Sequence, residues 1–184
     1  MQAFTGRRRF VLNALFAWTY AIGHLVDAQY VHSSRGRGSI FSSSWPEQWG
    51  FLLLGGMVLG LLIYRFGGWW YELRLWWSGV NPIDEDKARS VYLASSQIQA
   101  LPTILWTLGE TLFYESPIGA MTSASLWMIP MIVFPFWSIR ASHVAVQSVF
   151  QGNRTALRIW FLIIPLVGVF LPFIVGGILM ALDK

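Results

Sequence analysis

Long apolar runs alternate with short polar ones along this chain, and the pattern predicts helices that cross a bilayer. Five stretches qualify: about 10–31, 49–66, 94–114, 123–139 and 159–182. Each comes close to the ~20 apolar residues that cover a hydrocarbon core of about 30 Å. The second is the cleanest, holding FLLLGGMVLGLLIY without a charge. Its Gly56 and Gly60 form a GxxxG, which predicts a face of close helix packing. The first is the weakest, because Asn13, His24 and Asp27 interrupt it. It is expected to be partly interfacial or shielded by its neighbours. The third carries Gln97, Gln99, Pro102 and Glu110, and a kink is expected at the proline. Pro130 and Pro135 lie in the fourth stretch, Pro165 and Pro172 in the fifth.

The connections are equally legible. Residues 32–44 read HSSRGRGSIFSSS, a Gly/Ser-rich loop, with Ser44 as N-cap and Pro46 early in the next helix. Residues 67–93 cannot cross a bilayer. There Trp69, Trp70, Leu73, Trp76 and Trp77 recur at helical spacing, with Glu72 and Arg74 between them. An aromatic face set against charges predicts an interfacial amphipathic elbow. Ser78-Gly79 should end it, and Asn81-Pro82 should start the next helix, with Asn81 as cap. Asp84, Glu85 and Asp86 then precede Lys87 and Arg89, the order that suits a helix dipole. The loop 115–119 holds Pro117 and Gly119. Helix is expected to run past the fourth span through RASHVAVQSVF, up to a turn at Gln151-Gly152-Asn153-Arg154.

Composition agrees with this reading. Of the 184 residues, 55% are hydrophobic and 12% charged, where a soluble domain carries about a quarter charged. Mean hydropathy is +0.51. Eleven tryptophans favour the membrane–water boundary. The fold class expected is therefore all-α: one domain, 1–184, a multi-pass transmembrane bundle of about five spans with a cytoplasmic-side amphipathic elbow. The net charge of +4 is spread along the ends of the spans, which disfavours nucleic acid. With the N-terminus inside, the inner segments hold ten basic residues (Arg7, Arg8, Arg9, Arg65, Arg74, Lys87, Arg89, Arg140, Arg154 and Arg158). The outer ones hold three, Arg35, Arg37 and Lys184. That bias predicts N-terminus inside and C-terminus outside. Arg7-Arg8-Arg9-Phe10-Val11-Leu12 resembles a twin-arginine export signal, but no small-residue cleavage site follows, so it reads as a retained anchor.

Candidate chemistry is sparse. There is no cysteine, and no GxxxxGK(S/T), GxSxG or GxGxxG, so no enzyme and no cofactor or resident metal is expected. His24 and Asp27 share a helix face and, with Glu110, fall toward the outer ends of their spans. Such a trio can hold a divalent cation or pass protons, or simply bond to each other and to water. Gln97 and Gln99 line a cavity, satisfy backbone groups freed near Pro102, or pack between helices. His143 reads as a solvated interfacial residue. Trp69, Trp70, Trp76 and Trp77 read as a lipid anchor or as a docking face for another membrane protein.

Several segments resemble the Yip1-domain family of small membrane proteins, its bacterial members in particular. They are Gly67-Gly68 and the stretch after it, Tyr92-Leu93-Ala94-Ser95-Ser96 leading to Ala100-Leu101-Pro102, Phe136-Trp137-Ser138, Gly152-Asn153-Arg154-Thr155-Ala156, and Ile164-Pro165. They cover residues 49–177. The longer N-terminal region and the Asp-Leu-Tyr-Gly-Pro motif of eukaryotic members are missing, so GTPase binding is not carried over. The resemblance implies a five-span layout in the bacterial inner membrane and a non-enzymatic scaffold or accessory subunit. It would act through membrane lipids or other membrane proteins, with Trp69, Trp70, Glu72, Arg74, Trp76, Trp77, Lys87 and Arg89 as contact residues. The alternative is a small transporter or ion- or proton-conducting protein using His24, Asp27, Gln97, Gln99 and Glu110.

Overall fold

The computed structural model describes residues 2–34, 44–123 and 128–171, and these residues are helical apart from short connections. Helix α1 is Gln2–Ser34 and α2 is Trp45–Leu62. A π-helical turn, Ile63–Gly67, joins α2 to α3, Gly68–Trp77. Then come α4, Glu85–Phe113, the short α5, Pro117–Ser123, and α6, Met128–Val149. Last is α7, Arg154–Arg158, which runs on through the π turn Ile159–Ile163 to residue 171.

Among the described residues three helices are long and apolar enough to cross a membrane: Arg8–Val31, Trp45–Trp77 and Arg154–Leu171. Their outward faces are apolar too. Leu54, Val58 and Leu61 on α2 are 67%, 65% and 72% exposed, a surface that water would not favour and lipid does. Membrane character follows from these helices. Residues 172–182 of the fifth stretch, with Pro172, and the Gly/Ser loop at 35–43 lie outside the described residues.

The span expected to end at residue 66, ahead of the elbow at 67–93, does not end there. The helix continues from Trp45 to Trp77, 33 residues in all. At 1.5 Å per residue it is about 50 Å long, some 20 Å more than a hydrocarbon core. The π turn takes up the surplus residue at the place where Gly67 and Gly68 meet α4. A Cβ on Gly67 would lie 2.6 Å from Tyr92 Oη, and one on Gly68 2.9 Å from Arg89 Cγ. Glycines here let α4 start directly against the helix. Ser78 and Gly79 then end α3 as expected, with Gly79 at φ +76°.

Two expected caps differ. Ser44 is the N-cap residue of α2, but its side chain makes no capping bond. The next helix begins at Glu85, not at Pro82, and its cap is Asp84, whose Oδ1 accepts from Lys87 N at 3.0 Å. A carboxylate at the cap meets the positive end of the helix dipole, which Asn81 could not do. α4 passes through Pro102 and α6 through Pro135 as continuous helices. α6 extends through the RASHVAVQSV stretch, and Asn153 caps α7 by accepting from Thr155 N and Ala156 N.

Contacts fix the helix directions. Trp18 meets Leu53, Phe10 meets Tyr64 and Gln29 meets Gln48, so α1 and α2 are antiparallel. Asn13 meets Ser90 and Tyr30 meets Glu110, so α1 and α4 are parallel. Ser138 meets Ser95 while Val149 lies beside Lys87, so α6 runs against α4. α7 turns back again, since Asn153 bonds Ser78 and Phe161 packs on Tyr71. Gly56 and Gly60 face α1 as the GxxxG predicts. A Cβ on Gly60 would lie 3.0 Å from Trp18 Cα, which is backbone and cannot yield.

One end of the molecule is basic and closed by an apolar cluster. Tyr71, Leu75, Val80, Ala88, Val146, Phe150, Leu157 and Phe161 meet there from α3, α4, α6 and α7. A second cluster, Ile22, Val26, Tyr30 and Leu52, joins α1 to α2 nearer the other end.

Candidate functional site

Two polar features stand out, a seam between α1 and α4 and the charged edge of α3. The seam arises because polar residues recur at steps of seven. Asn13, Tyr20 and Asp27 share one face of α1, and Ser96, Thr103 and Glu110 share one face of α4. The two helices run parallel, so the faces stay matched along their length. Asn13 Nδ2 donates to Ser90 Oγ at 3.0 Å. Thr19 Oγ1 donates to Gln97 Oε1 at 2.6 Å, and Gln97 Nε2 donates to Phe16 O at 2.9 Å and Leu93 O at 3.0 Å. Gln99 Nε2 donates to Asp27 Oδ2 at 3.1 Å. At the far end Tyr30 Oη and Trp106 Nε1 both donate to the Glu110 carboxylate, the latter at 2.8 Å. Gln48 of α2 donates to Gln29 beside them.

α1 is thus shielded by its neighbours, the second of the two expectations for it. Asn13, Asp27 and Gln29 are buried, and each has a partner on another helix. Gln97 serves carbonyls of α1 and α4 rather than a cavity. His24, Asp27 and Glu110 do not converge. His24 packs on the Tyr20 ring at 4.4 Å between centroids, Asp27 faces Gln99, and Glu110 faces Tyr30 and Trp106. Among the described residues no group of three His, Asp or Glu side chains is placed to hold a metal ion. Two atoms here are buried without a hydrogen-bond partner, Asp27 Oδ1 and Gln29 Nε2.

The charged edge of α3 is built differently. Gly68, Tyr71 and Leu75 form its buried stripe, at i, i+3 and i+7. The tryptophans point away from it. Trp69, Trp70, Trp76 and Trp77 are 56%, 43%, 62% and 39% exposed. Trp77 stacks on Trp160 at 4.5 Å and takes the edge of Trp70 at 5.6 Å, so part of this aromatic face is rigid.

Glu72, Arg74 and Arg89 are turned inward instead. Arg89 Nε lies 2.9 Å from Glu72 Oε1, a charge contact off the hydrogen-bond axis, and Arg89 Nη2 reaches Glu85 Oε2 at 3.1 Å. Burial works against the Arg89 charge, but Glu72, Tyr64 and Glu85 outweigh it and hold its pKa above the ordinary guanidinium value. Arg74 donates to Trp160 O at 3.3 Å and lies over the rings of Phe161 and Tyr71, at 4.6 and 5.1 Å. Among the described residues it has no carboxylate within ion-pair distance. Lys87 is exposed, with Nζ 5.8 Å from the Phe150 ring centroid.

His143 is buried on α6, with Nε2 unpartnered. Burial and the nearby Arg158 push its pKa below the ordinary value, so it is a buried residue rather than the solvated one expected. Beside it the end of α6 and the start of α7 leave an open cleft of about 640 Å³, with Gln147, Gln151 and Arg154 on its polar side.

Sequence reasoning missed Tyr30, Trp106 and Ser90 as seam residues. The step of seven through Asn13, Tyr20 and Asp27 was the available signal. Comparison of the chain with protein-family models, with curated proteins and with solved structures finds no match in any of the three.

Proposed function

We propose that this chain is a five-span membrane protein of the Yip1-domain type, N-terminus in the cytoplasm and C-terminus outside. It works in a bacterial inner membrane as a non-enzymatic scaffold or accessory subunit, through protein partners or lipids. The observation that carries this reading is the division of labour on α3. Its charged residues hold the basic end together from within, which leaves four indoles facing outward on a helix that outruns the hydrocarbon core. Indoles at that depth suit the headgroup layer or another membrane protein. The alternating directions of α1, α2 with α3, α4, α6 and α7 support five crossings, and the basic residues gathered at one end support the orientation.

The test is purification in mild detergent with mass spectrometry of co-eluting proteins. A reproducible membrane-protein partner, lost when Trp69, Trp70 and Trp76 are changed to alanine, is the expected result. A strictly solitary monomer overturns the scaffold reading.

One observation favours the second reading, ion or proton conduction: the bare Asp27 Oδ1 inside the α1–α4 seam. Flux into liposomes that disappears in Asp27→Asn and Glu110→Gln supports it, and no flux in the wild type removes it.

A further inference from the structure

A groove lies between α4 and α6 toward the basic end. Its volume is about 320 Å³, and it is lined by Lys87, Val91, Ala94, Ser95, Ala141 and Ala145 among others. The alanines keep its floor apolar and low. One end is pinched shut where Ser138 Oγ donates to Ser95 O at 3.0 Å. The other end opens at Lys87, which is exposed and has no carboxylate within ion-pair distance among the described residues.

We propose that this groove binds one acyl chain of an anionic phospholipid, with Lys87 taking the headgroup phosphate. Two features select this occupant. Lys87 precedes Ser95 by eight residues, about 12 Å along α4, so the cation sits at headgroup depth and the alanine floor at acyl depth. The neighbouring cation, Arg89, is already held by Glu72 and Glu85, and no carboxylate lines the groove. Asp84, Glu85 and Asp86 are exposed before Lys87, yet none pairs with it or lines the groove, so its ammonium above the apolar slot complements a phosphate above a hydrocarbon chain.

This inference rests on the membrane character of the chain and not on the scaffold reading. Either can fail without the other, because one is read in retained lipid and the other in retained protein.

The experiment reconstitutes the full chain in nanodiscs of equal phosphatidylglycerol and phosphatidylcholine, then counts retained lipid by native mass spectrometry after release into detergent. The wild type retains phosphatidylglycerol in preference. Lys87→Glu lowers that preference about fivefold or more, the factor one basic residue contributes at an anionic surface. Ala145→Leu fills the groove and lowers retention of both lipids. Ala94→Leu does the same from an exposed position, and so keeps the test readable if Ala145→Leu fails to fold. Equal retention of the two lipids by the wild type overturns the proposal. So does unchanged retention in a folded Ala94→Leu or Ala145→Leu. A mass shift from dimer to monomer in those variants, with lipid unchanged, overturns it too and assigns the groove to a second copy of the chain.

Discussion

Glu110 shows how a single residue holds the far end of the seam. Its carboxylate is buried and accepts from Tyr30 on α1 and Trp106 one turn before it on α4. Glu110→Ala removes the carboxylate to which the buried Tyr30 hydroxyl and the exposed Trp106 indole donate, and losing such charged hydrogen bonds costs about 1–3 kcal/mol each. The variant is expected to unfold in mixed micelles with about 3 kcal/mol less stability than the wild type, read from its denaturant midpoint. Glu110→Gln keeps one acceptor oxygen and is expected to lose about half as much. Equal stability of all three proteins would show that the carboxylate is not the tie. Glu110 was visible in the sequence as an ionisable group near a span end. Its partner Tyr30 was not, because 80 residues separate them and only the parallel packing of α1 on α4 brings them together.

At the scale of elements, the approach of α2 to α1 is set by one glycine face. Gly60→Ala places a Cβ 3.0 Å from the backbone of Trp18 and is expected to destabilise the protein by about 1–3 kcal/mol. Gly109→Ala meets nothing within 4 Å and is expected to be neutral or to gain up to about 1 kcal/mol from helix propensity. The pair is read by the same micelle unfolding, and a similar loss in both would remove close packing as the cause. This face was legible in the uncharged GxxxG, a pattern that points to close helix packing in a span. The course of α3 was less so. Its alternation of tryptophan with Glu72 and Arg74 showed two faces, but it could not say which one meets protein. Tyr71 and Leu75 decide that by meeting Phe161, Val146 and Leu157, all of them distant in sequence. The helix runs on past residue 66 for a related reason: Gly67 and Gly68 serve the contact with Tyr92 and Arg89.

For the whole molecule, the gathering of basic residues at one end makes orientation testable without removing native thiols, since the chain has no cysteine. Lys87→Cys is expected to react with a membrane-impermeant maleimide only after the cytoplasmic side is opened. Glu115→Cys, exposed beyond the far end of α4, is expected to react in sealed cells. The opposite pattern inverts the topology, and labelling of both sites from one side removes the crossing by α4. The helical class and the strongest spans were legible as apolar runs. α4 was harder, because the polar face it turns to α1 lowers its hydropathy, and it is not among the three helices apolar enough to cross a membrane.

The parallel pairing of α1 with α4 also bears on how the chain is made. Asp27 and Tyr30 find their partners 72 and 80 residues downstream. While the ribosome is still translating α2 and α3, those partners do not yet exist. An aspartate facing lipid costs about 2.5–3.5 kcal/mol on insertion scales. The α1 window has a mean hydropathy of 1.2, against 1.7 for Trp45–Trp77, which leaves it little margin to absorb that cost alone. On the five-span proposal, α1 is expected to enter the bilayer fully only once α4 can pair with it, so a nascent chain arrested before Glu85 should leave the first segment more easily extracted from membranes by alkali than the full chain does.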